Sequence, residues 1–122
     1  MNVYQQELID HYRNPRNKGV VAHAQFEGKM HNPSCGDSVS MAGSFDNSGV
    51  LTTIGFDGSG CVISQAAASL LTEYCKGKTG EHIKNLDVDF MQKLVGIDLG
   101  PGRVKCALLA LQALQAAIAI RN

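Results

Sequence analysis

Apolar residues recur at helical spacing near both ends of the chain and alternate with polar residues in between. Residues 2–13 place apolar and aromatic side chains three to four positions apart, and this pattern ends before Asn14-Pro15. The residue before a proline disfavours the helical conformation. We therefore predict one short N-terminal helix that stops at this point.

Residues 22–56 consist of short alternating runs separated by turn residues, which is the pattern of β-strands. The clearest pair joins residues 38–42 to residues 50–54, and Asp46-Asn47-Ser48-Gly49 between them is typical of a hairpin turn. The pattern predicts a three-stranded antiparallel meander in which Asp37 stands at the start of the first hairpin arm.

Helical spacing returns after Gly58-Ser59-Gly60 and continues to Tyr74, so Cys61 is predicted at or near a helix start. Two shorter helical segments follow, one after Thr79 and one over residues 87–94.

Glycine and proline over residues 96–102 predict a mobile loop before a final helix over residues 103–121. The stripe of apolar residues along that helix has helical period, and Cys106 is expected in its first turn.

The length and composition indicate one compact domain over residues 1–122. Hydrophobic residues make up 44% of the chain and charged residues 18%, which argues against general disorder. The order of helix, strands and helices predicts an α+β fold, with the antiparallel meander packed against the N-terminal and C-terminal helices.

Charge and hydropathy exclude several classes of partner. Eleven basic and eleven acidic residues cancel, so no strong field draws the chain to nucleic acid or to an anionic membrane. No window approaches the roughly 18 consecutive apolar residues of a membrane-spanning helix. The N-terminal residues do not have the pattern of a secretory signal. We expect a soluble, cytoplasmic protein.

The chemistry of the chain centres on its four cysteines, Cys35, Cys61, Cys75 and Cys106. Thiols in a cytosolic chain stay reduced, so ligand or nucleophile roles are more plausible than disulfides. Thiolates are favoured at helix N-termini and beside cations, which fits Cys61 and also Cys106, next to Lys105. Cys35 lies in a turn, separated from Asp37 only by glycine.

Three separated thiolates and the Asp37 carboxylate provide four ligands that only folding can bring together. They could complete a tetrahedral zinc site or hold an iron–sulfur cluster, for which the aspartate is a weaker and more labile ligand. Cys75 has no glycine turn or carboxylate beside it and is interpreted as a packing residue. The four histidines, His11, His23, His31 and His82, have no ligand spacing and are interpreted as surface or hydrogen-bonded residues.

In four segments the chain resembles the U-type iron–sulfur cluster assembly scaffolds, the family of IscU, SufU and the NifU N-terminal domain. In order, the segments read IDHYRNPRN from residue 9, NPSCGD from residue 32, GCVISQAAAS from residue 60 and VKCALLA from residue 104. The resemblance covers nearly the whole chain and implies a SufE/NifU-like fold for the single domain.

This resemblance implies a scaffold rather than an enzyme. It would receive sulfur from a cysteine desulfurase, assemble a [2Fe–2S] cluster with iron and pass it to apo iron–sulfur acceptor proteins. Cys35, Asp37, Cys61 and Cys106 match the family's ligand positions, and Cys106 matches the cysteine expected to accept persulfide sulfur. The alternative is a SufU-like, zinc-dependent sulfurtransferase, with zinc bound in the resting, as-purified form.

Departures from the family pattern leave the branch open. Lys105 stands where the IscU branch has histidine. A lysine at this position is more similar to SufU. Residues 98–103 differ from the Leu-Pro-Pro-Val-Lys segment that a dedicated chaperone reads in the IscU branch, which puts chaperone recognition in doubt. The step of 45 residues from Cys61 to Cys106 is nevertheless too short for the insertion that marks typical SufU proteins.

Overall fold

The computed structural model of the chain describes residues 2–34 and 36–120. It contains three strands and five helices in the predicted order, and the predicted α+β class with an antiparallel meander is confirmed. The elements are α1 (Val3–Arg13), β1 (Phe26–His31), β2 (Ser38–Phe45), β3 (Leu51–Ser59), α2 (Val62–Cys75), α3 (Gly80–Lys84), α4 (Val88–Val95) and α5 (Pro101–Ala119).

The sheet has the order β1-β2-β3, and both pairings are antiparallel. Along β2, buried residues alternate strictly with half-buried ones, and the buried set begins with Val39 and Met41. Met41 lies opposite Phe56 on β3, which is itself almost fully buried. Because side chains alternate with period two, this register gives the sheet one apolar face for the helices to cover.

Helices α2 and α5 cover that face and pack against each other. Helix α2 is buried along most of its length, and α5 presents small side chains, Ala107, Ala110, Ala113 and Ala117, to the core. These small side chains allow close approach. A Cβ atom on Gly28 of β1 would lie 2.8 Å from the Ala117 Cβ atom, so a larger residue there would push α5 off the sheet.

The N-terminal helix makes its main contacts with α2 rather than with the sheet. It begins with a capping box, in which the side chains of Asn2 and Gln5 each accept a hydrogen bond from the other's backbone N–H. Only Leu8 and His11 of this helix are buried. His11 Nδ1 lies 2.7 Å from Ser69 Oγ, which also accepts the backbone N–H of Arg16 at 2.9 Å.

The two short helices are fixed at their ends by side chains. Thr79 and Asp87 accept the backbone N–H groups of His82 and Phe90, as N-cap residues do. Gln115 on α5 donates from Nε2 to carbonyls at the end of α3 and just beyond it. This arrangement ties the connection between α3 and α4 to α5.

Two predicted boundaries were wrong. Strand β3 continues to Ser59, past the predicted end of the strand region at residue 56. Helix α5 begins at Pro101, two residues before the predicted start. Proline is favourable at the first helical position, because its fixed φ suits a helix. Its lack of an N–H costs no hydrogen bond there, since an N–H at this position would have no acceptor within the helix. Cys106 consequently lies in the second turn of α5, not the first. Among the described residues, no helix combines the length and the apolar character needed to cross a bilayer.

The burial of His11 predicts a loss of stability in acid. Burial, reinforced by the nearby Arg16 charge, lowers the pKa of His11 below its usual value. The unfolded chain therefore binds this proton more readily than the folded one. The stability that neutral His11 contributes is fully present above the pKa of this histidine in the unfolded chain, about 6.5. It is lost as the pH falls below that value.

Denaturant titrations of the metal-free protein between neutral and mildly acid pH test this expectation. The free energy of unfolding should fall towards acid, with a slope of at most about 1.4 kcal/mol per pH unit from this one group. His11→Asn should be less stable at neutral pH and should have a flatter profile. A variant profile as steep as that of the parent protein would contradict the role given to His11.

The burial of Cys75 predicts a chemically inert thiol. Its side chain is fully buried in the core, and burial raises its pKa to about 12. In the native protein at about pH 8, iodoacetamide should modify Cys61, which is exposed, and leave Cys75 unmodified. Peptide mass spectrometry before and after unfolding checks this. Equal modification of the two residues in the native state would show that the core opens readily.

Candidate metal centre

Three of the four predicted ligands meet where the sheet and the two long helices come together. Asp37 precedes β2, Cys61 precedes α2 and Cys106 lies in α5. One potential ligand atom from each of these residues lies within 4.8 Å of the other two. Cys35, the fourth predicted ligand, lies outside the described residues. The structure thus brings together residues that are far apart in sequence, as the prediction required.

The Asp37 side chain is held in place by its own loop and by α2. The Asn32 backbone N–H donates to the Asp37 carbonyl, and the Gly36 N–H donates to the Asn32 carbonyl, each at 2.8 Å. Gly36 has φ +77°, a conformation that glycine adopts without strain. Asp37 as a whole residue is 2% exposed, and its Oδ1 accepts the Cys61 backbone N–H at 3.1 Å.

That hydrogen bond places a carboxylate at the positive end of a helix dipole. Cys61 is the N-cap residue of α2, and its own side chain makes no capping hydrogen bond. Asp37 supplies an acceptor for the N–H at this end. The positive end of the helix dipole in turn favours the negative charge of the carboxylate. Gly60 makes the approach possible, because a Cβ atom on it would lie 2.2 Å from Asp37 Oδ1. Its φ of +135° also disfavours any other residue.

The two thiols lie at an accessible surface. Cys61 is exposed, and its thiol lies 3.8 Å from Ser64 Oγ, while the half-buried Cys106 thiol lies 3.8 Å from the Gly102 carbonyl. A groove of about 700 Å³ opens beside both sulfurs. Its remaining lining residues are mainly apolar and come from α1, α2, the loop before α5 and the start of α5: Gln5, Leu8, Ile9, Val62, Ile63, Ile97 and Arg103. The groove leaves both thiols accessible from solvent.

The other cysteine and the histidines lie elsewhere. Cys75 is in the core at the end of α2, as its interpretation as a packing residue requires. His11 is hydrogen-bonded to Ser69, and His82 Nε2 lies 2.8 Å from the Tyr74 hydroxyl. His31 is exposed at the end of β1. Lys105 is also exposed, one residue before Cys106.

Two residues near Cys61 were missed by the sequence interpretation, Ser64 and Gln65. Both are buried polar residues on α2 whose side chains hydrogen-bond within the ligand-bearing segments. Their positions three and four residues after Cys61 were the available signal, because residues at that spacing lie on the same face of a helix.

The donor set fits a thiolate-binding metal. Two soft sulfurs and one carboxylate oxygen suit zinc or iron and are unlike the all-oxygen sets that bind magnesium or calcium. Tetrahedral zinc, with Zn–S bonds of about 2.3 Å, places its sulfurs roughly 3.8 Å apart. Because the three ligand atoms already lie within 4.8 Å of one another, the side chains would need to close by at most about 1 Å around one ion.

Two relatives match almost the whole chain. The zinc-dependent sulfurtransferase SufU of Bacillus subtilis is 34% identical, with 96% of this chain and 90% of SufU covered. Its alignment spans 134 positions, more than the 122 residues of this chain, so SufU has residues that this chain lacks. The iron–sulfur cluster assembly scaffold protein IscU of Haemophilus influenzae is 35% identical, with 95% and 93% covered.

The fold is also found among solved structures. A crystal structure of a hypothetical protein matches with a TM-score of 0.82 and 30% identity, over 96% of this chain and 97% of that one. The sequence-family model of the NifU-like N-terminal domain matches residues 3–120 of this chain. On this evidence the chain belongs to the NifU-like N-terminal domain family.

Proposed function

We propose that this protein is a scaffold on which [2Fe–2S] clusters are assembled and from which they are transferred. The observation that carries the proposal is the convergence of Asp37, Cys61 and Cys106 within 4.8 Å at the edge of an open groove. Cys35, two residues before Asp37 in sequence, is proposed as the fourth ligand. The relatives named as IscU scaffolds support this assignment.

The mixed ligand set suits a cargo that must leave again. Iron–sulfur clusters are usually held by thiolates, so a carboxylate oxygen among the ligands gives a weaker, more exchangeable bond. Asp37 is buried and fixed by its hydrogen bond to Cys61. It can therefore remain in place while the bond to the cluster breaks. The accessible sulfurs on the groove side allow a partner to approach.

Sulfur would enter by thiol–persulfide exchange at Cys106. The Cys106 thiolate attacks the outer sulfur of a persulfide on a cysteine desulfurase, and the sulfur–sulfur bond of that persulfide breaks. The desulfurase cysteine leaves as a thiolate, and Cys106 carries the new persulfide. Cys106 suits this role because it lines the groove, which gives a partner's cysteine a route to its sulfur.

Anaerobic reconstitution with ferrous iron, cysteine and a cysteine desulfurase should produce the visible absorption spectrum of a [2Fe–2S] cluster. Cys35→Ala, Cys61→Ala and Cys106→Ala should each abolish it, because each removes a thiolate ligand. Cys75→Ala is the matched control and should retain the spectrum, since that thiol lies in the core. A cluster that survives Cys106→Ala would refute the ligand set.

The second candidate function is a zinc-dependent sulfur acceptor. It is favoured by the SufU relative and by Lys105 beside Cys106. In this case zinc stays bound while Cys106 takes up sulfur. Zinc-loaded protein would stimulate the desulfurase but would transfer no cluster to an apo acceptor protein. Cluster transfer in the same assay would instead support the scaffold.

Replacement of Asp37 should lengthen the life of a bound cluster. Asp37→Ala removes the labile oxygen ligand, so transfer to an apo acceptor should slow if release limits its rate. The same change removes the acceptor of the Cys61 N–H and should cost about 1 kcal/mol of stability, as the loss of a helix cap does. Cluster half-life, transfer rate and thermal unfolding should be measured together.

Asp37→Asn separates the two effects, because its amide oxygen can still accept the Cys61 N–H. It should be more stable than Asp37→Ala while lacking the charged ligand. Faster loss of cluster from a well-folded Asp37→Ala variant would contradict the role assigned to the carboxylate.

A further inference from the structure

Gln65 is a buried amide one helical turn after Cys61. Its side chain is 8% exposed. Nε2 donates to Ser64 Oγ at 3.1 Å and, in a longer contact, to the Ser38 carbonyl at 3.4 Å. Oε1 is buried and has no hydrogen-bond partner within the described part of the chain. Gln65 is therefore only partly satisfied as a polar group.

This arrangement is unfavourable for folding. A buried acceptor without a partner costs about 1–3 kcal/mol, whereas methionine has a similar length and no such requirement. The interior would be at least as stable with an apolar side chain at this position. What the amide contributes must therefore be sought in the groups that its nitrogen contacts.

Those groups belong to the two segments that carry Cys61 and Asp37. Ser64 Oγ donates to the Cys61 carbonyl at 3.1 Å and accepts the Cys61 thiol at 3.8 Å. Ser38 directly follows Asp37, whose carboxylate accepts the Cys61 N–H. Gln65 thus contacts the start of β2 with the same nitrogen that fixes the serine beside the Cys61 sulfur.

We propose that Gln65 is a positioning residue of the metal centre, which acts through Ser64 to hold the Cys61 sulfur in place relative to Asp37. The inference rests on the proposed metal-binding function. Ser64 Oγ contacts both the carbonyl and the sulfur of Cys61, and Gln65 Nε2 donates to that same oxygen. Such outer partners orient metal ligands and tune their bonds.

Gln65→Met tests the proposal in the whole 122-residue chain, because it removes the amide donor and keeps the length of the side chain. Zinc affinity, measured by competition with a chelator, should fall by about tenfold, as is typical when a partner of a ligand is lost. The thiolate-to-metal absorption of the cobalt-substituted protein should change. The metal-free variant should unfold at the same denaturant concentration as the parent protein or at a higher one.

Thr72→Val is the matched control on the same helix. Thr72 is fully buried, and its hydroxyl donates to the Ser69 carbonyl at 2.7 Å. This variant should lose stability and keep the zinc affinity and cobalt spectrum of the parent protein. The opposite outcomes for the two variants separate positioning of the site from general support of the helix.

Combination with Ser64→Ala tests whether Gln65 acts through Ser64. The double variant should bind zinc no more weakly than Ser64→Ala alone, because the two residues belong to one chain of hydrogen bonds. If the losses of zinc affinity in the two single variants multiplied in the double variant, Gln65 would not act through Ser64. Zinc affinity within twofold of the parent protein in Gln65→Met would overturn the positioning role. If the parent protein bound neither zinc nor a cluster, the proposed function itself would fail.

Discussion

The hydrogen bond from the Cys61 N–H to Asp37 Oδ1 is the contact on which the site depends. It joins the start of β2 to the start of α2, two segments that carry different candidate ligands. It also places a buried carboxylate at a helix N-terminus, where the dipole compensates part of the cost of removing the charge from water. Gly60 leaves the space for this contact. This hydrogen bond adds a direct link between these segments to the pairing of Ser38 with Ser59 in the sheet.

The larger fold supports this junction. The register of β2 and β3 fixes where α2 starts relative to β2, because β3 is followed directly by Gly60 and Cys61. Small side chains on α5 bring that helix close to the sheet. Cys106 is thereby set opposite Cys61. Core packing and the geometry of the candidate ligands are therefore coupled. A change in the separation of α5 from the sheet would change the distance between the Cys61 and Cys106 sulfurs.

Much of this arrangement could be predicted from sequence because it depends on local signals. The proline after α1, the Asp46–Gly49 turn and the glycines before Cys61 each act over a few residues. The start of α5 was misplaced because Pro101 and Gly102 were interpreted as breakers, although proline is favourable in the first turn. Four ordered motifs led to Asp37, Cys61 and Cys106. Their approach to within 4.8 Å is a property of the tertiary fold, and no local pattern contains it.

Helical spacing could place Ser64 and Gln65 near Cys61 but could not give the contacts that the Gln65 side chain makes. The direction of the Gln65 amide depends on the position of Ser38 on a neighbouring strand, which helical spacing alone cannot supply.

The weak anchoring of α1 has a consequence for the groove. One wall of the groove is α1, which buries only Leu8 and His11 and packs mainly on α2. Elements with few buried contacts open at a fraction of the free energy needed to unfold a core. The width of the entrance to the sulfurs thus depends on a helix that buries few of its residues. Movement of α1 would change that width without disturbing the sheet, because α1 packs mainly on α2.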